Sequence, residues 1–244
     1  GGDRAIVELH AHRFLGDCRQ QDDQRCEKAR ADGARRGQRS HAGARASTIR
    51  ASAARRRYLV LVPQPSLFLG FDVGTQSTKA LVLDTATGTV VARAHEPYEL
   101  LAGLPPGHQE QHPDTWIEAV RRCAAAVLRE CDGARIGGVG VSGQQHGCVV
   151  LDRDLRVVRP AKLWCDTSTA AEAAELSKRI GRAVPTGFTA SKLLWLQRHE
   201  PQNWARVAHV LLPHDFVNLR LTGRATMECG DASGTGWFDP VART

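Results

Sequence analysis

The sequence is short of several features that would mark a special class of protein. None of its seven cysteines forms a Cys-x-x-Cys pair, so it offers no thiolate pair of the kind that zinc modules use. We expect reduced, structural thiols, as in cytosolic proteins. The one markedly apolar stretch near the N-terminus, residues 58–62, is far too short to span a bilayer. These absences, together with the lack of an internal repeat, predict a cytoplasmic protein with no membrane partner.

Most of the chain has no net charge, although all 244 residues together carry a formal net charge of +7. Residues 1–57 hold 14 basic and seven acidic side chains, whereas residues 58–244 hold 19 of each. A basic surface is typical of nucleic-acid binding, but here the whole excess lies in the leader. The neutral remainder, without aromatic residues interleaved among basic ones, predicts no nucleic-acid partner.

Residues 1–66 have too few apolar and aromatic side chains to build a core, and they are rich in arginine and alanine. Such a composition cannot offset the entropy cost of ordering, so we predict a disordered leader. Three interpretations stay open. The first is a transit peptide, which the acidic residues Asp22, Asp23 and Glu27 disfavour. The second is an arm that binds nucleic acid. The third, which is favoured, is a non-native leader from a misassigned start or reading frame. We also expect neither Gly1 nor Thr244 to be a native terminus.

The most informative segment is residues 67–84, in which two short apolar runs flank a loop rich in glycine, threonine and serine. Both runs have strand character, and the loop is short enough for a hairpin. Small loop residues let backbone N–H groups and hydroxyls converge on one anion, as phosphate-binding loops do. Asp72 lies where the first strand meets the loop, and a carboxylate beside a phosphate commonly holds a divalent cation. The alternative is an ordinary hairpin with a polar tip.

Beyond the hairpin, strands and helices alternate, which predicts a layered α/β domain. A third strand is expected over residues 89–94, and a helix from an N-cap at Asp114 to about Glu130. The other expected elements are strands over residues 136–142, 148–152 and 160–164, and helices over residues 170–180, 191–199 and 215–221, the last closed by Gly223.

Seven segments, in the same order along residues 67–244, resemble the FGGY carbohydrate kinases. They are residues 70–75, 110–113, 141–147, 163–166, 187–195, 212–216 and 231–235. The resemblance implies an α/β fold of the ribonuclease-H-like, actin-like ATPase type, with two lobes around the active site. Only the N-terminal lobe is matched. In the family the second lobe supplies the catalytic aspartate base, in a Gly-Gly-Asp segment, and most of the adenosine pocket.

The resemblance implies ATP-dependent phosphorylation of a ketose, with D-xylulose giving D-xylulose 5-phosphate as the expected reaction and Mg²⁺ as the expected metal. Asp72 is the expected catalytic and metal-linked carboxylate. The residues expected along the phosphates of ATP are Gly74, Thr75, Gln76, Ser77 and Thr78. Those expected to contact the sugar are Gln145, His146, Asp166, Phe188 and Lys192. The chemistry is reasonable because amide and imidazole groups can donate and accept hydrogen bonds with the hydroxyls and carbonyl of a ketose.

Several of these assignments have alternatives. Asp166 could instead orient its neighbours, Gln144 could brace the loop, and Lys192 could be a solvated helix residue. Thr167 and Ser168 follow Asp166 where the family often carries Asp-x-Arg, so a kinase for another pentulose or a polyol is a second interpretation. A third is a non-catalytic sugar-binding fragment. Asp231, Ser233 and Thr235 rank below the other sugar residues, while His214 and Asp215 are expected to pack or cap. A homodimer is expected for the full-length protein.

Overall fold

The structure is a computed structural model that describes residues 66–239 and Val241. The predicted leader therefore lies outside the described residues, apart from Ser66. Its strands are β1 Leu67–Val73, β2 Ser77–Asp84, β3 Thr89–Pro97, β4 Glu110–Gln111, β5 Ile136–Gly143, β6 Val149–Leu151, β7 Ala161–Lys162 and β8 His209–Leu211. Its helices are α1 Pro113–Val127, α2 Ala170–Ile180, α3 Thr189–His199, α4 Pro201–Trp204, α5 Pro213–Thr222 and α6 Cys229–Ala232. Within this part of the chain no helix has both the length and the hydropathy needed to cross a membrane.

A four-stranded sheet in the order β3-β2-β1-β5 forms the centre of the fold. The predicted hairpin over residues 67–84 is confirmed: β1 and β2 are antiparallel, and Asp72 lies opposite Lys79. Strands β1 and β5 are parallel, which places Ser142 beside Asp72. The long connection between these parallel strands contains α1, as such a crossover requires. The predicted α/β class is therefore confirmed.

Helix α1 begins two residues earlier than the sequence predicted. The assignment of Asp114 as N-cap is wrong: His112 is the N-cap, and its Nδ1 accepts a hydrogen bond from the Asp114 backbone N–H. The cause is Pro113, whose fixed φ and missing N–H suit the first helical position. The helix ends at Val127 rather than about Glu130. Trp116, Val120, Ala124 and Val127, which recur at helical spacing, are all buried.

The two faces of the sheet differ in their burial. Along β1 the side chains alternate, and Leu69, Phe71 and Val73 are buried on the face that packs against α1 and α5. On the opposite face, which we call the open face, Phe68 is 40% exposed and Leu81 is 42% exposed. A largely apolar depression of about 710 Å³ lies there. A sheet with antiparallel pairs can leave one face towards solvent, and β1–β2 and β2–β3 are both antiparallel.

Two small sheets and the remaining helices complete the described part. Strand β4 pairs with β7, and β6 pairs with β8. The strand predicted over residues 160–164 is shorter, because after Lys162 the chain turns and the Asp166 N–H bonds to the Leu163 carbonyl. Helix α2 has the predicted bounds. Helix α3 begins at Thr189, two residues earlier than predicted. Helix α5 begins at Pro213, also two residues earlier than predicted, and its predicted end at Gly223, which has a left-handed conformation, is confirmed.

Candidate active site at the ends of two parallel strands

The β1–β2 loop, residues 74–76, is held from several sides by distant parts of the chain. The Tyr98 hydroxyl donates to the Gly74 carbonyl at 2.7 Å, and Gln111 Nε2 donates to the Thr75 carbonyl at 2.7 Å. The Gln76 carbonyl accepts the backbone N–H of Tyr98 at 3.0 Å. Three carbonyls of the loop therefore face protein donors, which fixes the path of the loop backbone.

The Thr75 side chain connects this loop to two other segments. Its hydroxyl donates to Gln144 Oε1 at 3.2 Å and accepts from the Trp164 indole N–H at 3.0 Å. Gln144 is buried, and its amide also lies 3.4 Å from Gln111 Oε1. Gln144 thus braces the loop, which was the alternative considered for it. Trp164 is half exposed rather than part of the core.

The predicted phosphate-binding residues do not all face the same side. Gln76 is exposed, and Gly74, Thr75 and Ser77 are partly exposed. Thr78 is fully buried, and its hydroxyl lies 3.3 Å from the Tyr98 hydroxyl. Neighbouring strand residues point to opposite faces, so Thr78 points into the core and its prediction as a phosphate ligand does not fit the structure. Burial raises the pKa of Tyr98 to about 12, although the Thr78 hydrogen bond opposes this.

Asp72 lies on the open face of the sheet, next to the β1–β2 loop. Its side chain is exposed, with Lys79 and Ser142 as its strand partners. Mg²⁺ is usually held by one or two carboxylates together with waters and substrate phosphates. A single accessible carboxylate beside a loop with backbone N–H groups fits that mode of binding.

A second group of acidic and histidine side chains has the spacing of metal ligands. His108, Glu110 and Asp166 bring their donor atoms within 4.8 Å of one another. However, the Lys162 ammonium is among them, 3.0 Å from Glu110 Oε1 and 3.2 Å from both Asp166 Oδ2 and His108 Nδ1. The ammonium supplies the positive charge that a cation would bring, so we interpret this group as a buried ion-pair network.

Arg159 extends this network, which we call the Lys162 network. It donates from Nη2 to both carboxylate oxygens of Glu110, at 2.9 and 2.8 Å, and from Nε to Glu200. Burial raises the pKa of Glu110, but the charges and hydrogen bonds of Arg159 and Lys162 outweigh burial and hold it below its ordinary value. The carboxylate therefore stays ionised in the interior.

Asp166 is a full member of the Lys162 network and is completely buried. Oδ1 accepts from the Ser168 N–H and hydroxyl, at 3.0 and 2.5 Å, and Oδ2 accepts from the Gln109 N–H at 2.9 Å as well as from Lys162. The structure therefore does not place Asp166 in contact with a sugar. It supports the alternative interpretation, in which this carboxylate orients its neighbours.

His146 and Phe188, two of the predicted sugar residues, lie together. Their ring centroids are 5.3 Å apart, and the His146 carbonyl accepts a hydrogen bond from the Thr189 hydroxyl. His146 has a positive φ of 58°, and its buried Nδ1 has no hydrogen-bond partner among the described residues. Burial lowers the pKa of His146, the charge of Lys192 adds to this, and Asp231 opposes it. The imidazole is therefore neutral at neutral pH.

Gln145, next to His146, extends towards a different partner. Its Nε2 donates to Asp231 Oδ1 at 2.5 Å, and Asp231 Oδ2 lies 3.0 Å from Nε2 of His214. Asp215 caps α5 by accepting from the Leu212 N–H at 3.2 Å, which agrees with its expected capping role. Burial raises the pKa of Asp215 to about 6, against the lowering effect of His214.

Lys192 is buried rather than solvated, so the solvated alternative is wrong. Its Nζ donates to the carbonyls of Thr186, Gly187 and Phe188, at 3.1, 2.6 and 3.1 Å. Burial lowers the pKa of Lys192 to about 8. Because its contacts are backbone carbonyls, this side chain shapes the loop that carries Phe188, and the structure does not show it reaching the sugar position directly.

Two residues of the site were not singled out from the sequence. Gln111 lies within the Glu-Gln-His-Pro segment that carries the family resemblance, so a signal for it existed. Tyr98 has no such signal, since it follows a strand in an otherwise ordinary segment. Both contact the loop across long sequence separations, of 36 and 24 residues.

Comparison with known protein families identifies the chain. The family described as "FGGY family of carbohydrate kinases, N-terminal domain" matches residues 67–244. The chain therefore belongs to the FGGY carbohydrate kinases, and the described residues have the first-lobe part of the ribonuclease-H-like, actin-like fold that the sequence predicted.

Individual relatives agree with this assignment. Xylulose kinase of Haemophilus influenzae is 39% identical over 193 residues, which cover 72% of this chain and 39% of the relative. Xylulose kinase of Streptomyces rubiginosus is 42% identical over 184 residues, covering 70% of this chain and 37% of the relative. The crystal structure of xylulose kinase from Rhodospirillum rubrum matches with a TM-score of 0.68 and 30% identity, over 73% of this chain and 39% of that one. The chain thus spans about two-fifths of the length of the curated relatives it matches.

Proposed function

We propose that this chain is the first lobe of an ATP-dependent sugar kinase that converts D-xylulose to D-xylulose 5-phosphate. The observation that carries the proposal is the position of two loops at the carboxyl ends of the adjacent parallel strands β1 and β5. The Gln144 N–H bonds to the Val73 carbonyl at 2.9 Å, and Gln144 Oε1 accepts from Thr75. Ligands of open α/β sheets bind at the carboxyl ends of strands. The β1–β2 loop would bind phosphate and is called the phosphate loop, and residues 143–146 would bind the sugar and are called the sugar loop. Two such loops side by side suit phosphoryl transfer.

Close approach of the two loops depends on Gly143. A Cβ at this position would lie 2.9 Å from the Val73 carbonyl oxygen, too close for any other residue without a shift of the backbone. The sequence Gly143-Gln144-Gln145-His146 therefore begins where β5 is tightest against β1. This supports the view that the sugar loop is fixed relative to the phosphate loop.

Phosphoryl transfer depends mainly on positioning and on neutralisation of charge. In this lobe Asp72 would hold Mg²⁺, which would supply positive charge to neutralise the phosphates of ATP. The backbone N–H groups and hydroxyls of residues 75–77 would bind phosphate oxygens. The Gly74 N–H already donates to the Ser77 carbonyl at 3.0 Å, and Thr78 is excluded by its burial. The base that accepts the sugar hydroxyl proton would come from the second lobe, as the family resemblance implies.

The sugar would be held by Gln145 and His146, with Phe188 beside the imidazole. A neutral imidazole has one donor and one acceptor nitrogen, so it can pair with a hydroxyl of a ketose in either direction. Lys192 and Asp166 would act on the site indirectly, by fixing the loops around residues 186–188 and 162–168. The full-length protein would bind the sugar and ATP, and a homodimer stays a prediction.

The test uses an enzyme completed with a second lobe from a relative. His146→Ala should raise the KM for D-xylulose about tenfold or more while leaving the KM for ATP unchanged, because an unpaired buried polar contact costs about 1–3 kcal/mol. The control is His209→Ala, since His209 is exposed on β8. Equal damage to both KM values, or no effect on either, would refute the assignment of His146. A different preferred ketose or polyol would refute the assignment of D-xylulose.

A further inference from the structure

The carboxylate of Asp231 lies between a predicted sugar residue and a buried histidine. Gln145 Nε2 donates to Oδ1 at 2.5 Å, across 86 residues of sequence, and His214 Nε2 lies 3.0 Å from Oδ2. Asp231 is only partly exposed, with 22% of its side chain accessible. Each carboxylate oxygen therefore has its own neighbour, which restricts rotation of the group.

His214 is an unusual buried residue. Its side chain is 7% exposed, and neither ring nitrogen makes a hydrogen bond of acceptable geometry with the described residues. Buried polar groups nearly always have partners. Two carboxylates lie beside this ring, with Asp231 Oδ2 at 3.0 Å and Asp215 Oδ1 at 3.4 Å from Nε2, and Glu228 is close enough to interact with it electrostatically. The imidazole thus has two carboxylates within 3.4 Å of its Nε2.

The same residues line a cavity of about 310 Å³. Gln145, His214 and Asp231 contribute to its wall, together with Ser142 and Asn218. Because β5 contributes Ser142 and Gly143 to this wall, the cavity lies directly behind the predicted sugar loop. A change of Asp231 would therefore act first on Gln145.

We propose that Asp231 is a positioning residue of the sugar site, which fixes the orientation of the Gln145 amide and is itself held by His214. This inference rests on the proposed function. Because one of the two N–H groups on Nε2 donates to Asp231, the amide of Gln145 cannot rotate freely. Its Oε1 and its second N–H then have a defined direction towards the sugar. Without Asp231, the side chain of Gln145 would have to be ordered by the sugar itself, at a cost in affinity.

Two substitutions separate the charge of Asp231 from its hydrogen bond. Asp231→Asn keeps the shape and an oxygen acceptor for Gln145, whereas Asp231→Ala removes both. We expect Asp231→Ala to weaken D-xylulose binding by the 244-residue chain about tenfold, which is the scale of one lost hydrogen bond in a buried site. Asp231→Asn should retain most of the affinity. His214→Phe, which keeps an aromatic ring but removes the Nε2 contact with Asp231, should give a smaller loss than Asp231→Ala.

The measurement is a titration with D-xylulose followed by ¹H–¹⁵N NMR of the side-chain amides. The Gln145 signals are assigned by their disappearance in Gln145→Leu. Asp154→Ala serves as a control because the Asp154 carboxylate is 73% exposed and pairs with Arg156. In the unliganded chain, Asp231→Ala should shift the Gln145 amide signals. Thermal midpoints of all variants show whether each remains folded.

The outcomes distinguish the inference from the proposed function. If the wild-type chain binds D-xylulose and Asp231→Ala binds it equally well, Asp231 positions nothing and the inference is overturned. The inference is also overturned if the chemical shifts of the Gln145 amide are the same in Asp231→Ala as in the wild-type chain. If Asp231→Ala moves those signals but the wild-type chain shows no response to D-xylulose, the contact is real and the sugar site itself is refuted. If His214→Phe leaves affinity unchanged, the role of His214 is refuted.

Discussion

The Gln111 amide joins the Thr75 carbonyl to the core. Its Nε2 donates to Thr75 at 2.7 Å, and its Oε1 accepts from the indole N–H of the fully buried Trp116 at 2.9 Å. One amide therefore links the β1–β2 loop to helix α1. The position of the β1–β2 loop depends in this way on a helix whose main role is packing.

Replacing Gln111 by leucine should leave both the Trp116 N–H and the Thr75 carbonyl without their partner. A buried unsatisfied polar group costs about 1–3 kcal/mol, so we expect the free energy of unfolding to fall by about 2–4 kcal/mol. Urea denaturation measures this. Gln197→Leu is the matched control, because Gln197 is exposed on α3. A loss no greater than that of the control would show that the amide contributes little.

The Lys162 network predicts a loss of stability in acid. Because the pKa of Glu110 is lower in the folded state than its ordinary value of 4.5, the unfolded chain binds more protons there, and the stabilisation is complete above that value. It should be lost as the pH falls below 4.5 through the folded-state pKa. In Glu110→Gln, unfolding measured from pH 6 to pH 3 should show a weaker dependence on pH. An identical slope in both proteins would contradict this.

At neutral pH the same Glu110→Gln change should be destabilising. It leaves Arg159 and Lys162 with less compensating charge in a buried setting, and breaking a buried ion pair typically costs about 3–5 kcal/mol. Arg122 and Glu118 form an exposed pair on α1 at 3.1 Å. Glu118→Gln should therefore change stability by less than about 1 kcal/mol, and it serves as the control.

Gly234 leaves space for the His146 ring. A Cβ on residue 234 would lie 1.8 Å from His146 Cε1, so Gly234→Ala must displace the imidazole or the backbone. Overpacking of this kind costs about 1–3 kcal/mol, and sugar binding should fall with it. Gly140→Ala is the control, since a Cβ there meets nothing within 4 Å. Calorimetric titration with D-xylulose measures the effect, and unchanged affinity in Gly234→Ala would show that His146 does not contact the sugar.

The 244-residue chain should show no measurable phosphorylation of D-xylulose, because the expected base belongs to the second lobe. A coupled assay of ADP release measures this. Adding the second lobe from a relative should give turnover, and Asp72→Ala should then abolish it. Lys79→Ala, which alters the exposed strand partner of Asp72, should leave much of that turnover. Turnover above background by the 244-residue chain would contradict the assignment of the base.

Most strands and helices could be predicted from the sequence because the patterns that specify them are local. Leu67, Leu69, Phe71 and Val73 alternate with other residues in sequence, and they are the buried side of β1 in the structure. The start of α1 was misjudged because Asp114 is a good capping residue in general. The local rule that decides the case, proline at the first helical position, points to His112 instead.

The roles of the charged site residues could not be read in the same way. Asp166 and Lys192 stand in segments typical of sugar kinases, but their partners are fixed only when the chain folds. A fully buried carboxylate or ammonium must find compensating groups, and here these are Lys162 with Ser168 for the first and three backbone carbonyls for the second. Thr78 was misjudged because a sequence of four polar residues does not show where the strand begins.

The open face of the sheet affects how this chain behaves in a test tube. Phe68 and Leu81 present apolar surface beside the depression of about 710 Å³, and surfaces of this kind promote association. A preparation of the 244-residue chain should therefore bind a fluorescent hydrophobic dye and elute late from a phenyl column. Leu81→Thr should reduce both effects while preserving strand character. Buffer additives that compete for apolar surface would then be a practical requirement for every binding experiment on this lobe.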